Sequence, residues 1–409
     1  MRIMYLTQWF EPEPNIVKGL AFVRALEAAG HQVTVVTGFP NYPTGKLYPG
    51  YRLRWIQRET VAGVQVVRLP LYPSHDASAA RRALNFLSFF AAALVYGLVR
   101  RERYDLAYVY HPPITVGLAA ALAGRVRRLP FVLDVQDLWP DTIAATGMVG
   151  AGRLVGWLGR LCNHVYRRAA AIVVQSEGMR TALIDRGVPP PKLTTIHNWS
   201  DAEFGEAAAT DKAPSDDTRF TLVYGGNLGR AQALETVVDA AALLQSRRSD
   251  IEIVLQGDGV QAAALRERAQ RAGVTILRFE PHRPQQEIIG VFRRADALLM
   301  HLADDPLFSI TVPSKTQFYL SLGRPVVAGV AGEAADLLRR SGAAMVAPPS
   351  DAQALADAIA AMADTPRDRR EAMGRQGLAF YREILSFARG MDRTLRLLDG
   401  TYAEQRPAT

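Results

Sequence analysis

Short Val- and Ile-rich runs without polar alternation recur along this chain, each followed by an amphipathic stretch, and this rhythm constrains the fold most. Runs at 2–7, 32–37, 64–69, 106–110, 131–135 and 171–175 read as strands, with a helix at 17–29 closed by Gly30 and helical segments between the later runs. Strands that lack polar alternation are strands covered on both faces. Alternation with helices makes a doubly wound parallel sheet. Pro189-Pro190-Pro191 and the polar stretch 205–217 interrupt the rhythm, and the second reads as an interdomain linker. The rhythm then restarts, with strands at 220–224, 251–255, 274–279 and 297–302, and helices at 234–246, 261–272 and 285–293. Helix-forming segments continue from residue 351 to about residue 398. The expectation is an α/β chain of two Rossmann-like domains facing a shared cleft at their strand ends, where such sheets bind ligands.

The 409 residues carry a formal charge of +8, which suits a phosphorylated substrate, an acidic membrane or nucleic acid. No nucleic-acid recognition motif is present, and a bias toward arginine codons would give the same excess. Cys162 is the only cysteine, which excludes an internal disulfide and the cysteine spacings of zinc sites. Residues 1–7 are too short an apolar run for a secretory segment and read as a buried first strand. The longest apolar run, 86–99, would reach only about 21 Å as a helix, short of the roughly 30 Å of a bilayer core. Arg81 and Arg82 precede it, and Arg100, Arg101 and Arg103 follow. Arginines at both ends, with Phe86, Phe89 and Phe90 inside, fit a helix lying on an acidic leaflet. A core helix with charged ends reads the same way.

Three stretches in the second half could hold an anion. Val223-Tyr-Gly-Gly-Asn-Leu-Gly-Arg230 follows a strand and opens a helix, so glycines permit close backbone approach beside a helix N-terminus. Gln256-Gly-Asp-Gly259 stands at the same place in the next unit. Either could be only a tight turn. From Phe308 onward, Ser309 and Thr311 precede a proline, and Ser314 and Lys315 then open a helix ending at Gly323. Hydroxyls, backbone N–H groups and one ammonium would converge where a diphosphate could sit. A capped helix with a solvated lysine is the plainer reading.

Taken in order, Gly226-Asn-Leu-Gly229, Gly257-Asp-Gly259, Ala295-Asp-Ala297, Val312-Pro-Ser-Lys315 and Leu322-Gly-Arg-Pro-Val-Val327 resemble the C-terminal half of family 4 retaining glycosyltransferases. The N-terminal half agrees through Ala28-Ala-Gly-His31, Asp134-Val-Gln-Asp-Leu-Trp-Pro140, Val174-Gln-Ser-Glu-Gly-Met179 and Ile196-His-Asn-Trp-Ser-Asp201. The likeness covers about residues 1–390. It is nearest to the branch that builds bacterial surface polysaccharides, including acetyl-fucosamine transferases, through the stretch from Gly38 to Lys46, His111-Pro-Pro113 and Asp137-Leu-Trp-Pro140.

The resemblance implies a GT-B fold, with an acceptor-binding domain at 1–200 and a nucleotide-sugar-binding domain at 201–380. A last helix, about residues 380–409, would pack back on the first domain. It implies no cofactor and no metal, and a sugar, N-acetylated hexosamine or deoxyhexosamine among the candidates, carried by a UDP-type nucleotide. The acceptor would be lipid-linked or a polysaccharide, the partner surface an anionic membrane, and the location cytoplasmic, peripheral on the inner face of the cell membrane. Lys315 and Arg230 would stabilise the leaving diphosphate. The nucleotide sugar would meet Gly225, Gly226, Asn227, Gly229, Gln232, Gly257, Phe279, Ser309, Ile310, Thr311, Ser314 and Gln317. The acceptor would meet Glu11, Asn15, Asn41, Tyr42, His111 and Trp139.

The chain departs from the family pattern at several positions. Ile310 and Phe318 stand where many relatives have two glutamates, the second of which holds the ribose; Gln317 is the neighbouring polar candidate for that contact. Asn227 and Gln232 replace an arginine and a lysine, and Gln136 replaces a histidine. Asp137 would orient or deprotonate the acceptor hydroxyl, or else cap the loop before Trp139-Pro140. His111 should face the cleft rim, with an idle surface histidine as the alternative. Two other functions fit parts of the pattern. A sugar-nucleotide epimerase of the same fold needs acid–base groups near the sugar ring, where these motifs are poor in them. A non-catalytic binding partner would fit the missing glutamates.

Overall fold

The computed structural model describes residues 1–14, 17–75, 78–142, 153–200 and 219–405. The chain forms two compact units, Met1–His197 with Gly390–Thr409, and Asn198–Arg389. The expected linker at 205–217 lies outside the described residues. The chain returns to the first unit at Gly390, ten residues beyond the expected 380, within a helix spanning Phe387–Gln405. There Arg393 donates to the Thr195 carbonyl at 3.3 Å.

The first unit holds an eight-stranded sheet: β1 (Arg2–Leu6), β2 (Gln32–Gly38), β3 (Gln57–Val61), β4 (Val64–Leu69), β5 (Leu106–His111), β6 (Phe131–Val135), β7 (Ala171–Val174) and β8 (Leu193–Thr195). Their spatial order is β3-β4-β2-β1-β5-β6-β7-β8, parallel throughout except where β3 runs against β4. Sequence reading does not find β3, because Gln57-Arg-Glu-Thr60 is polar and lies at the sheet edge with alternate residues exposed.

The second unit holds six parallel strands: β9 (Phe220–Gly225), β10 (Ile251–Gln256), β11 (Leu277–Glu280), β12 (Ala297–His301), β13 (Val326–Gly329) and β14 (Ala344–Ala347), in the order β11-β10-β9-β12-β13-β14. Progress from β9 through β10 to β11 goes one way and from β12 onward the other. The switch point therefore falls between β9 and β12. Leu222, Tyr224, Ile253 and Leu255 enter one apolar cluster, whereas Val223, Val254, Leu298 and Met300 enter another. Successive residues thus face opposite cores, which is why the sequence shows no polar alternation.

The long apolar helix corrects one expectation. It spans Ala79–Val99, 21 residues, or about 31 Å at the helical rise, and is long and apolar enough to cross a membrane by length and composition. The length argument against spanning therefore fails. The helix begins earlier than the apolar run because the Ser78 hydroxyl accepts from the Arg81 N–H, an N-cap that admits the polar first turn. Asn85, Phe89, Ala93, Tyr96 and Gly97 are its buried side. A Cβ on Gly97 would sit 2.7 Å from Cβ of Ala123, so the glycine lets the helix Ile114–Arg127 pack closely against it.

A buried ion pair anchors the middle of the first sheet. Lys18 Nζ and Asp134 Oδ2 are 3.4 Å apart, both fully enclosed. Asp134 also accepts from Tyr108 Oη and Gln136 Nε2, each at 2.5 Å, and the Lys18 ammonium lies 4.8 Å over the Phe22 ring. Desolvating two charges is costly unless both are paired and hydrogen-bonded. Here they are. Lys18→Met should therefore lower the unfolding free energy by about 3 kcal/mol or more, read from urea denaturation. A loss below about 1 kcal/mol would show that Tyr108 and Gln136 alone satisfy Asp134.

Candidate functional site

At the carboxyl edge of the second sheet, β9 and β10 are each followed by a glycine, and the backbones of these two glycines touch. Gly226 has φ +131° and Gly257 φ +153°, in a region that side chains avoid. A Cβ on Gly257 would lie 1.9 Å from the Gly226 carbonyl oxygen, and one on Gly226 2.9 Å from Lys315 Nζ. Gly226 N–H donates to the Gln256 carbonyl at 2.9 Å, and Leu228 N–H to that of Asp258 at 2.8 Å. The two turns are one structure. Gly225 is equally confined, since a Cβ there would meet the Phe292 ring at 2.2 Å.

Lys315 enters from the first turn of the helix Ser314–Ser321. No carboxylate among the described residues pairs with its ammonium; the Tyr224 ring lies 5.0 Å below it, and burial pushes its pKa down to about 8. An unpaired ammonium against open backbone is a ready counter-charge for an anion. Arg230 is exposed in a short turn, Arg230–Gln232, that precedes the helix Glu235–Gln245. The glycine turn therefore does not open a helix directly, as expected, but through this extra turn. Ser309, which ends the short helix Pro306–Ser309, and the loop residues Ile310 and Thr311 are half-buried, and Ser314, the first residue of the Lys315 helix, is exposed. The carbonyl oxygen of Ser309 would lie 1.9 Å from a Cβ on Gly332, which has φ +61°.

Several expected ligands are engaged elsewhere. Gln232 Oε1 accepts the Gly229 N–H at 3.1 Å, so it closes its own turn. Asn227 is exposed, and a Cβ on Gly259 would lie 2.6 Å from its Oδ1. Gln317 is buried, and its surroundings assign its amide nitrogen, rather than its oxygen, to the side facing the Pro313 carbonyl, where it donates at 2.8 Å; it faces its own helix start and is not available to a ribose. Phe279 sits half-buried in β11 with the Arg266 guanidinium 4.8 Å over its ring. Phe318 packs on Phe292 with ring centroids 5.8 Å apart. Sequence reasoning misses His301, the last residue of β12. Its Nδ1 is 2.8 Å from the Gln232 carbonyl, and its Nε2 is buried without a partner among the described residues. Burial holds its pKa below the ordinary value. No local motif marks it; only its position at a strand end could have.

The carboxyl edge of the first sheet gathers the other candidates. His111 ends β5 and is fully buried. Both ring nitrogens lack partners among the described residues, its ring centroid is 6.1 Å from that of Trp139, and burial pushes its pKa down to about 3. It is a neutral core residue, neither at a rim nor on the surface. Asp137 receives no hydrogen bond on its carboxylate from the described residues, and burial raises its pKa. Its carbonyl, not its carboxylate, accepts the Trp139 N–H at 3.1 Å, so the capping alternative fails. Trp139 is half-buried and edge-on to Phe86, which therefore faces inward.

Asn41 is buried, its Nδ2 donating to the Phe39 carbonyl and its Oδ1 accepting from Asn85; it is a structural amide, not an open ligand. The Tyr42 ring lies between Trp9 and His75 at 5.4 and 4.6 Å. Glu11 gives its carbonyl to Arg68, and Asn15 lies outside the described residues. Unforeseen is Glu13, fully buried between two prolines. Its carboxylate accepts N–H groups of Asn41 and Tyr42 at 2.8 Å and of Phe10 at 3.3 Å, clasping the loop after β1 to the loop after β2. Burial pushes its pKa up to about 7, while those N–H groups and Arg68 pull the other way.

Residues 20–199 match the family described as Glycosyl transferase 4-like domain, and residues 219–365 that described as Glycosyl transferases group 1. The two domains follow one another over most of the chain. This protein is a GT-B glycosyltransferase. It is 27% identical over 314 residues to the colanic acid biosynthesis glycosyl transferase WcaI of Escherichia coli (strain K12), covering 74% of this chain and 76% of that one. It is 24% identical over 237 residues to the glycosyltransferase WbjE of Pseudomonas aeruginosa, covering 56% and 58%. Its fold is like that of Anabaena HepE, solved in complex with UDP and glucose, at a TM-score of 0.66 and 17% identity over 97% of this chain and 99% of that one. Among the described residues of this glycosyltransferase, no group of three His, Cys, Asp or Glu is placed to hold a metal ion.

The Glu13 clasp makes a test by pH. Its folded pKa of about 7 stands above its ordinary 4.5, so its contribution to stability is fully present below 4.5 and is lost as pH rises through about 7. Glu13→Gln keeps one oxygen for Asn41 and Tyr42 but cannot ionise. Its unfolding free energy should stay flat from about pH 5 to about pH 8, where the parent protein declines. Parallel pH profiles of the two would show that the carboxylate titrates normally.

Proposed function

We propose that this glycosyltransferase moves a sugar, with retention, from a UDP-type donor to a lipid-linked or polysaccharide acceptor of cell-surface glycan assembly, on the inner face of the membrane. The observation that carries the proposal is the unpaired Lys315 ammonium set against the touching Gly226 and Gly257 backbones. Such a site offers a diphosphate one cation and a surface free of side chains. The solved complexes of HepE with UDP and with UDP-glucose support the nucleotide, and the name of WcaI, a colanic acid biosynthesis glycosyl transferase, supports the pathway class. N-acetylated hexosamine or deoxyhexosamine is the sugar class we favour.

In this reading, glycosidic cleavage builds negative charge on the leaving diphosphate. Lys315 and Arg230 stabilise that charge without a metal ion. The transition state is oxocarbenium-like and the acceptor attacks from the face the diphosphate leaves, so catalysis is mostly positioning and charge stabilisation. Asp137, with no hydrogen bond to its carboxylate among the described residues, orients the acceptor hydroxyl. Ile310 and Phe318 give the ribose no carboxylate, and Gln317 is turned away, so backbone groups of the glycine turns hold it.

Lys315→Ala and Arg230→Ala should each lower kcat by about 10²-fold or more, read as UDP release with a panel of donors and a membrane-extract acceptor. Near-parental turnover in both would remove the assignment. Because the Lys315 pKa lies near 8, UDP affinity should fall as pH rises through that value and the ammonium discharges. Lys315→Met should abolish the slope, and calorimetric titration across the range would detect it.

A further inference from the structure

The two helices Ala79–Val99 and Ile114–Arg127 pack side by side in the first unit and leave an apolar face uncovered. On the first, Leu84, Leu87, Val95 and Val99 are 48, 55, 58 and 66% exposed. Their spacing places them in one stripe opposite the buried Asn85, Phe89 and Ala93. On the second, Leu122 and Val126 are 37 and 68% exposed, one turn apart. The stripe ends meet: Arg127 donates to the carbonyls of Leu98 and Arg100. Neither helix contains an aspartate or glutamate, whereas Arg81, Arg101, Arg103, Arg125 and Arg128 stand exposed at their ends.

We propose that this two-helix face is where the protein lies on an anionic lipid leaflet, with Leu84, Leu87, Val95, Val99, Leu122 and Val126 in the acyl boundary and the end arginines among the headgroups. Apolar side chains in the middle and guanidinium groups at the margins match the layering of an acidic leaflet. Two of the phenylalanines that the bare sequence offers as anchors, Phe86 and Phe89, are not the contact. Phe89 is buried and Phe86 packs on Trp9 and Trp139. A second copy of the chain fits poorly, because a two-fold contact would set arginine margins against each other, and the acid between Arg101 and Arg103, Glu102, is already paired with Arg58. Crossing the bilayer would tear Asn85 from Gln8, Asn41 and the Tyr72 carbonyl, all now within 3.3 Å, and leave it unpaired in hydrocarbon. This surface deepens the membrane placement proposed above and is independent of the nucleotide site.

The test is co-sedimentation of the full chain with phosphatidylcholine vesicles containing about 30% phosphatidylglycerol, beside phosphatidylcholine alone. Binding should require the anionic lipid and fall in about 0.5 M NaCl. Leu87→Ser with Val95→Ser, and separately Arg101→Glu with Arg125→Glu, should each cut the bound fraction about tenfold or more. Absence of binding to anionic vesicles, or unchanged binding in both double variants, overturns the proposal. So does equal, salt-resistant insertion into neutral vesicles, which would indicate spanning, or a dimer broken by the serines with no vesicle binding. UDP titration of the same proteins separates the two readings. Failure to bind nucleotide would count against the proposed function and leave the vesicle result standing.

Discussion

Burial of the strands on both faces is the constraint on which the rest depends. A strand such as Leu222–Val223–Tyr224 sends alternate side chains into two separate cores, so no ligand-binding group can sit along its length. Chemistry is confined to the strand ends, where the backbone leaves the sheet. In the second unit that edge carries Gly225, Gln256, His301 and Gly329 as the last residues of four strands. Each is fixed by close packing. A Cβ on Gly329 would come within 2.2 Å of the His301 ring, and His301 in turn holds the Gln232 carbonyl. The loops are thereby set by the sheet, and Lys315 meets a backbone surface that cannot drift.

The same sequence is read unevenly for a physical reason. Apolar runs announce β1, β2, β9 and β10 because burial on both faces demands them, whereas β3 is hidden by edge exposure that tolerates Gln57-Arg-Glu-Thr60. Glycines at 226 and 257 are legible because no other residue holds those backbone angles without strain. What a sequence does not disclose is the direction a polar side chain takes. Gln317, Asn41 and His111 look like ligands from their types and neighbours, yet each is buried. Gln317 and Asn41 spend their amides on the protein itself. Glu13 and His301 were invisible for the converse reason: their partners are main-chain groups from distant segments, which leave no pattern in local spacing.

Charge pairing separates structure from chemistry in both units. Lys18 and Asp134 are sealed and saturated, so neither can change partner without a large desolvation cost. Lys315 and Asp137 are also largely enclosed, but each meets no opposite charge from the described residues. Burial pushes the lysine down to about 8 and the aspartate upward, in each case disfavouring the charged form. A site that keeps a cation partly desolvated and unpaired is destabilised until an anion arrives, and the relief of that penalty adds to binding. The fold seats Asp134, one half of a settled ion pair, within β6 and leaves the unsettled Lys315 and Asp137 beyond the strand ends. That division is what a sheet buried on both faces would impose on any chemistry it carries.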